Sequence, residues 1–186
     1  MLDANNTADM IAFLRSYLRM RTTYPDPHYK EVLQLFQQQA EAYCLAYQEI
    51  FLPSGNPVGI VSYYGQNPGL PALALNHHMD VVPAPNSDEW IRPPFEGHIL
   101  QDSIIGRGAQ DLKGVGVVHY FALRQLKRDK VVLQRTVHLF IVPDEERGGF
   151  QGMKEFMATA EFKKLAIGLA IIVRFLKIFD QENYDV

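Results

Sequence analysis

The sequence has little cysteine and little excess charge, and both shortages exclude classes of protein. Cys44 is the only cysteine among 186 residues, so neither an intrachain disulfide nor a cysteine-rich zinc cluster can form. The formal net charge is only −3, so no basic field is present to attract nucleic acid or an anionic membrane surface. We therefore expect a protein of a reducing compartment without a nucleic-acid partner.

Targeting and membrane-spanning segments are also missing from the pattern. Residues 1–10 lack the basic side chains and the apolar run of a secretory signal. The apolar stretch at residues 166–179 contains Arg174 and Lys177 and is shorter than the roughly 18 residues that a membrane helix needs. The sequence therefore predicts a cytoplasmic protein that does not enter a membrane, with residues 166–179 forming a strand or an exposed patch.

The apolar content is ordinary, at 47% hydrophobic and 21% charged residues, which is enough to build a core in a chain of one-domain length. Helical spacing of apolar residues predicts helices over residues 11–18, 30–47, 112–127 and 151–160. Runs of β-branched and aromatic residues predict strands over residues 58–64, 71–76, 99–105 and 136–142. Because helices and strands alternate, we predict the α/β class and treat residues 1–186 as one domain.

Residues able to bind a metal follow two of the predicted strands. Residues 77–80, His-His-Met-Asp, come after the strand at 71–76, and residues 144–146, Asp-Glu-Glu, come after the strand at 136–142. Asp111 lies between a glycine-containing loop and the next helix. Ligand sites in α/β sheets gather at the carboxyl ends of strands. Imidazole and carboxylate groups bind zinc, and a neighbouring acid can act as a general base.

Each group also has a purely structural interpretation. Asp111 suits a helix N-cap or first turn, residues 144–146 suit a solvated acidic turn, and His77 and His78 suit a strand end. An unrelated structural domain is therefore an alternative to a metallohydrolase. The other histidines lack acidic clusters, and we assign them to structure: His28, His98, His119 and His138.

Three strings in order resemble successive signatures of the M20 family of zinc metallopeptidases: LNHHMDVVP at 75–83, GRGAQDLK at 106–113 and VPDEERGG at 142–149. The second string, together with Gln-Gly-Met at 151–153, is most similar to the cytosolic aminoacylases of that family. The resemblance extends to about residue 168. It implies part of an M20 catalytic domain, with a mixed sheet flanked by helices and without the lid or dimerisation domain.

By position, the resemblance implies a role for five residues. His78 and Glu146 would each bind one of two zinc ions, and Asp111 would bridge the ions. Asp80 would orient His78, and Glu145 would be the general base. The implied reaction is hydrolysis of a small N-acyl-L-amino acid to a carboxylate and an L-amino acid. Members of the family are homodimers through the domain that this chain lacks.

The tail at residues 169–186 diverges from the family pattern. The position expected to carry a further aspartate ligand falls at Ile172, which cannot bind zinc. Catalytic zinc takes about three protein ligands plus water, so His78, Asp111 and Glu146 would leave two ions under-coordinated. We therefore expect weak metal binding and little hydrolysis. The alternative function is a truncated, non-catalytic isoform or fragment that binds other aminoacylase chains.

Overall fold

The computed structural model describes residues 4–85 and 87–172. Its helices are α1 (Ala4–Arg19), α2 (Tyr29–Ala42), α3 (Gly114–Arg128), α4 (Met153–Ala158) and α5 (Ala160–Lys164). Its strands are β1 (Ala46–Phe51), β2 (Pro57–Tyr63), β3 (Ala72–His78), β4 (His98–Leu100), β5 (Ser103–Ile105), β6 (Val137–Val142) and β7 (Ile167–Ile172). None of the described helices combines the length and apolar character that crossing a membrane requires.

A five-stranded mixed sheet in the order β1-β2-β6-β3-β7 forms the centre of the fold. β1, β2 and β6 pair antiparallel, whereas β6, β3 and β7 pair parallel. In the parallel pair of β3 and β6, His78 lies opposite Val142. The segments that follow these two strands therefore leave the sheet side by side, which brings distant parts of the sequence to one edge.

Both faces of β6 are buried, and alternate residues of the strand serve different cores. Val137, Leu139 and Ile141 face the core that contains α1, α2 and α3. Phe140 and Val142 face a smaller core with α4 and residues of α5. A side-chain period of two on a strand covered on both sides explains why β6 is apolar at every position except His138.

The larger core is built from aromatic rings. Phe13 of α1 lies 5.2 Å from Phe36 of α2 and 5.4 Å from Tyr120 of α3, measured between ring centroids. Close approach of α3 to the sheet requires glycine at one position, since a Cβ on Gly116 would lie 2.2 Å from the His77 ring. Such ring pairs contribute about 0.5–1.5 kcal/mol each beyond the apolar area they bury.

The predicted α/β class and mixed sheet are confirmed, with several local differences. The second helix ends at Ala42, and residues 46–51 form β1 instead of continuing it. The predicted strand at 99–105 is the hairpin of β4 and β5. The predicted helix at 151–160 is two short helices, because the Thr159 hydroxyl accepts a hydrogen bond from the Phe162 N–H and caps α5.

Two further differences concern the site and the tail. The helix predicted from residue 112 begins at Gly114, because Asp111 and Leu112 have non-helical backbone angles within a kinked turn at Ala109–Lys113. The tail begins as β7, the first of the two alternatives predicted for residues 166–179, a strand or an exposed patch. Its residues 173–186, with Arg174 and Lys177, lie outside the described residues.

Candidate metal centre

Three side chains with metal-binding atoms converge at the carboxyl edge of the parallel strands. His78 ends β3, Asp111 lies in the kinked turn before α3, and Glu146 lies in the turn after β6. One nitrogen or carboxylate oxygen from each residue lies within 4.8 Å of those of the other two. The structure thus brings together the three residues predicted to be metal ligands.

The imidazole of His78 is held by one nitrogen and presents the other to the acids. Its Nδ1 donates to the backbone oxygen of Asp80 over 3.0 Å. Its Nε2 lies 3.0 Å from Oδ1 of Asp111 and 3.7 Å from Oε2 of Glu145. Fixing Nδ1 in this way orients the ring and leaves Nε2 as the atom for a metal ion.

Asp80 is the anchor that joins the two strand ends. Its fully buried carboxylate accepts the backbone N–H of Glu145 over 3.1 Å and that of Glu146 over 3.0 Å. One of its oxygens also lies 3.5 Å from Nδ1 of His78. Asp80 therefore positions both His78 and the acidic turn. The sequence had predicted only the contact with His78.

Within residues 144–146, Asp144 is buried, whereas Glu145 and Glu146 are partly or largely exposed. Asp144 adopts a left-handed backbone conformation with φ +68°, which aspartate tolerates better than most residues. Its carboxylate accepts the Tyr24 hydroxyl over 3.1 Å and the backbone N–H of Gln151 over 2.8 Å. The hydrogen bond between Tyr24 and Asp144 spans 120 positions in sequence, so no local pattern indicates it. The side chain of Glu145, by contrast, is 60% exposed.

The charges of the site retain a proton on the histidine. Burial alone would lower the pKa of His78, but its hydrogen bond to Asp80 and the charges of Asp80 and Glu145 outweigh burial and raise that pKa to about 9. Burial also raises the pKa of Glu146, which the positive charge of His78 opposes. Without a metal ion, the cluster therefore holds at least one proton at neutral pH, and a cation would displace it.

The lysine two positions after Asp111 is a buried residue that the sequence did not single out. Lys113 has no exposed surface, and its Nζ donates to the backbone oxygens of Tyr17 over 3.1 Å and Met20 over 2.8 Å. Burial lowers the pKa of Lys113 to about 7, with the charge of Asp80 acting in the opposite direction. Only its place in the string GRGAQDLK distinguished it in the sequence.

His77 faces away from the cluster although it precedes His78. Its ring packs against Phe36 and Tyr17 in the aromatic core, and burial first, followed by nearby positive charges, lowers its pKa to about 3. His138 contributes to the sheet interior by a 2.8 Å hydrogen bond to the Ser62 hydroxyl. The strand alternation therefore separates a structural histidine, His77, from the one in the cluster.

The cluster fits a zinc ion after a small adjustment. Two atoms that bind one zinc ion at about 2.1 Å lie at most about 4.2 Å apart, whereas the three candidate atoms lie within 4.8 Å of one another. The Asp111 side chain is 64% exposed and Glu146 is partly exposed, so both carboxylates have room to close a difference of about half an ångström or more. One imidazole and two carboxylates form a donor set suited to zinc.

A cleft of about 460 Å³ opens beside the cluster, and Asp111 and Glu146 contribute to its lining. Val82 and Ile104 give it apolar surface, and the guanidinium of Arg107 forms part of its wall. This volume lies in the range of small-molecule sites. The cleft can therefore bring a small ligand next to the candidate metal ligands.

Known proteins resemble the chain in sequence and in fold. Residues 74–178 match the profile of peptidase family M20/M25/M40. The chain is 39% identical over 162 residues to aminoacylase-1 of Sus scrofa and 38% identical over 164 residues to aminoacylase-1 of Homo sapiens. Both alignments cover 87% of this chain and 40% of the relative. The chain thus spans about 40% of the length of these curated relatives.

Solved structures share the fold at lower identity. The M20 family metallo-carboxypeptidase Sso-CP2 from Sulfolobus solfataricus superposes with a TM-score of 0.76 at 24% identity, over 91% of this chain and 37% of that one. Human carnosine dipeptidase 1 superposes with a TM-score of 0.73 at 16% identity, over 89% of this chain and 38% of that one. At these identities the likeness concerns the fold alone.

Proposed function

Because the chain belongs to peptidase family M20/M25/M40, as the sequence motifs predicted, we propose that its site is that of a zinc-dependent amidohydrolase of the aminoacylase type. The substrate would be an N-acyl-L-amino acid, and the products a carboxylate and an L-amino acid. The observation that carries the proposal is the cluster of His78, Asp111 and Glu146, with Oε2 of Glu145 3.7 Å from Nε2 of His78. The aminoacylase-1 relatives support the substrate class.

Each residue of the site has a role in this proposal. His78, Asp111 and Glu146 would hold the metal, with Asp111 shared if two ions bind, and Asp80 would position the ligands. Bound zinc supplies polarisation of the amide carbonyl and a water molecule of lowered pKa. Oε2 of Glu145 takes a proton from the attacking water and returns it to the leaving nitrogen. The exposed side chain of Glu145, beside His78, suits that transfer.

A second candidate function is a non-catalytic module that binds other aminoacylase chains. β7 is an outer strand of the described sheet, and it exposes Leu169, Ile171 and Ile172. An apolar edge strand can pair with another chain. The position at which a further aspartate ligand was expected is Ile172, which supports weak metal binding. The cytoplasmic location inferred from the sequence remains a prediction.

The experiment is zinc analysis and N-acetyl-methionine hydrolysis by the purified 186-residue chain. Glu145→Gln removes the base but keeps the size of the side chain and the metal ligands. Glu161→Gln, an exposed change in α5, is the matched control. Bound zinc with turnover that Glu145→Gln alone abolishes would support the hydrolase. Bound zinc without turnover, together with self-association or association with full-length aminoacylase, would support the second candidate. A chain that binds no zinc would refute the proposed metal site.

A further inference from the structure

A buried lysine connects the end of α1 to the turn that carries Asp111. Lys113 lies two positions after Asp111, and its ammonium group donates to the backbone oxygens of Tyr17 and Met20 at the end of α1, over 3.1 and 2.8 Å. The same group lies 4.7 Å from the centroid of the Tyr17 ring. Lys113 therefore fixes the kinked turn to the helix end through two hydrogen bonds and one ring contact.

The end of α1 is also tied to the strand end that carries His78. The backbone N–H of Val81 donates to the backbone oxygen of Thr22 over 3.2 Å, only three positions from His78. Gly108 packs between these parts, since a Cβ added there would lie 2.6 Å from Cγ1 of Val81 and 3.4 Å from Cδ of Lys113. The segment at residues 17–22 thus contacts both the residues that follow His78 and the turn that carries Asp111.

Packing alone does not call for a lysine at this position. Removing an ammonium group from water carries a large desolvation cost, whereas a methionine of similar length would fill the same space without it. The ammonium group adds directional hydrogen bonds to two carbonyls at a helix C-terminus, where backbone oxygens have few partners within the helix. The oxygen of Tyr17 also accepts the backbone N–H of Met20 over 3.2 Å. The distinctive contribution of the ammonium group is therefore a fixed distance between α1 and the Asp111 turn.

Asp111 needs such support from its backbone. Its side chain is 64% exposed, so packing around the carboxylate does not set its position. The other two candidate ligands are positioned by Asp80, through the ring of His78 and the backbone N–H of Glu146. We propose that Lys113 is the corresponding positioning residue for Asp111 and holds its carboxylate at the distance from His78 that metal binding requires. This inference rests on the metal site of the proposed function.

The test measures zinc affinity in the full chain by competition with a chromophoric chelator, beside unfolding in urea. Lys113→Met removes the donors and keeps the length of the side chain. We expect it to weaken zinc binding by about 10- to 100-fold, the usual effect of losing a group that orients a ligand. The visible spectrum of the cobalt-loaded chain should also change, because Asp111 would occupy a different position around the ion.

Arg124→Met is the matched control. Arg124 is also a buried cation, and it also ties α3 to α1, through a 2.6 Å ion pair with Asp9. It lies in the last part of α3, whereas Asp111 precedes the helix. We expect Arg124→Met to lower the free energy of unfolding while leaving zinc affinity and the cobalt spectrum unchanged. A milder variant, Lys113→Gln, retains an N–H donor and decides the question where Lys113→Met does not fold.

The outcomes separate this inference from the proposed function. Wild-type affinity in both Lys113 variants would overturn it and make Lys113 a stabilising residue only. Equal weakening in Arg124→Met would also overturn it, because zinc affinity would then follow global stability. If the wild-type chain bound no zinc, the proposed function itself would fail, together with the role assigned to Lys113.

Discussion

Replacing Asp80 with asparagine tests how the metal-free site is held together. The raised pKa of His78, about 9 against 6.5 for the free side chain, amounts to about 3.5 kcal/mol at about 1.4 kcal/mol per unit. Because the folded pKa is raised, this stabilisation is fully present below pH 6.5 and is lost as the pH rises through about 9. The hydrogen bond to Asp80 leads the contributions that raise the pKa.

Asp80→Asn should therefore destabilise the metal-free chain more at low pH than at high pH. An asparagine accepts one of the two backbone N–H groups of Glu145 and Glu146 and turns a donor toward the other, which costs about 1–3 kcal/mol at any pH. We expect a loss in unfolding free energy of about 5–6 kcal/mol at pH 6 and about 2 kcal/mol at pH 9.5. The His78 pKa should fall below its usual range, since burial then dominates.

The measurements are urea unfolding at the two pH values and an NMR titration of His78, both in the presence of a metal chelator. Asp129→Asn, at an exposed position just after α3, is the control and should change neither quantity. Equal losses at both pH values, or a His78 pKa that stays near 9 without Asp80, would show that the charge of Asp80 does not hold the proton on the imidazole.

Two further predictions concern the core. Gly116→Ala should lower the free energy of unfolding in urea by about 2 kcal/mol, because a Cβ 2.2 Å from the His77 ring must displace that ring and the gain in helix propensity does not compensate. The control Gly69→Ala, in an exposed turn, should be nearly neutral. Equal losses of stability in the two variants would contradict the contact between residue 116 and His77. Burial lowers the pKa of His138, so this residue reduces stability as the pH falls below about 6.5. His138→Gln should therefore weaken the loss of stability at acid pH, measured by calorimetry at a series of pH values. An unaltered slope would assign the acid sensitivity to other groups.

The position of the site could be read from sequence because its residues occur in short strings at predictable places. Two strings follow strands, and the carboxyl ends of strands in α/β sheets are where ligands gather. The strings around His78 and Glu146 therefore predicted a common edge, and the in-register pairing of His78 with Val142 provides it. Local chemistry and a general rule of topology were sufficient for this step.

The remaining features depend on contacts that no local pattern contains. β1 was missed because its Gln48 and Glu49 are exposed, so the strand lacks the apolar alternation that indicates a half-buried strand. The insertion of β6 between β2 and β3 joins segments more than 60 positions apart. The hydrogen bonds of Lys113 to the end of α1 span more than 90 positions. These features depend on contacts between residues far apart in sequence, and the spacing of residues in a single sequence does not reveal such contacts.

The ligand geometry also bears on how many ions the described site can hold. A catalytic zinc ion has about three protein ligands and an open position, and the atoms of His78, Asp111 and Glu146 lie within 4.8 Å of one another, close to the span of one coordination shell. If they share two ions, each ion receives one terminal ligand and one bridging oxygen. The described residues therefore favour one ion over two, and a second ion of similar affinity requires ligands from outside this set. Since Glu145, the proposed base, borders the same shell, a single ion would be enough to place water, base and amide together in the proposed reaction.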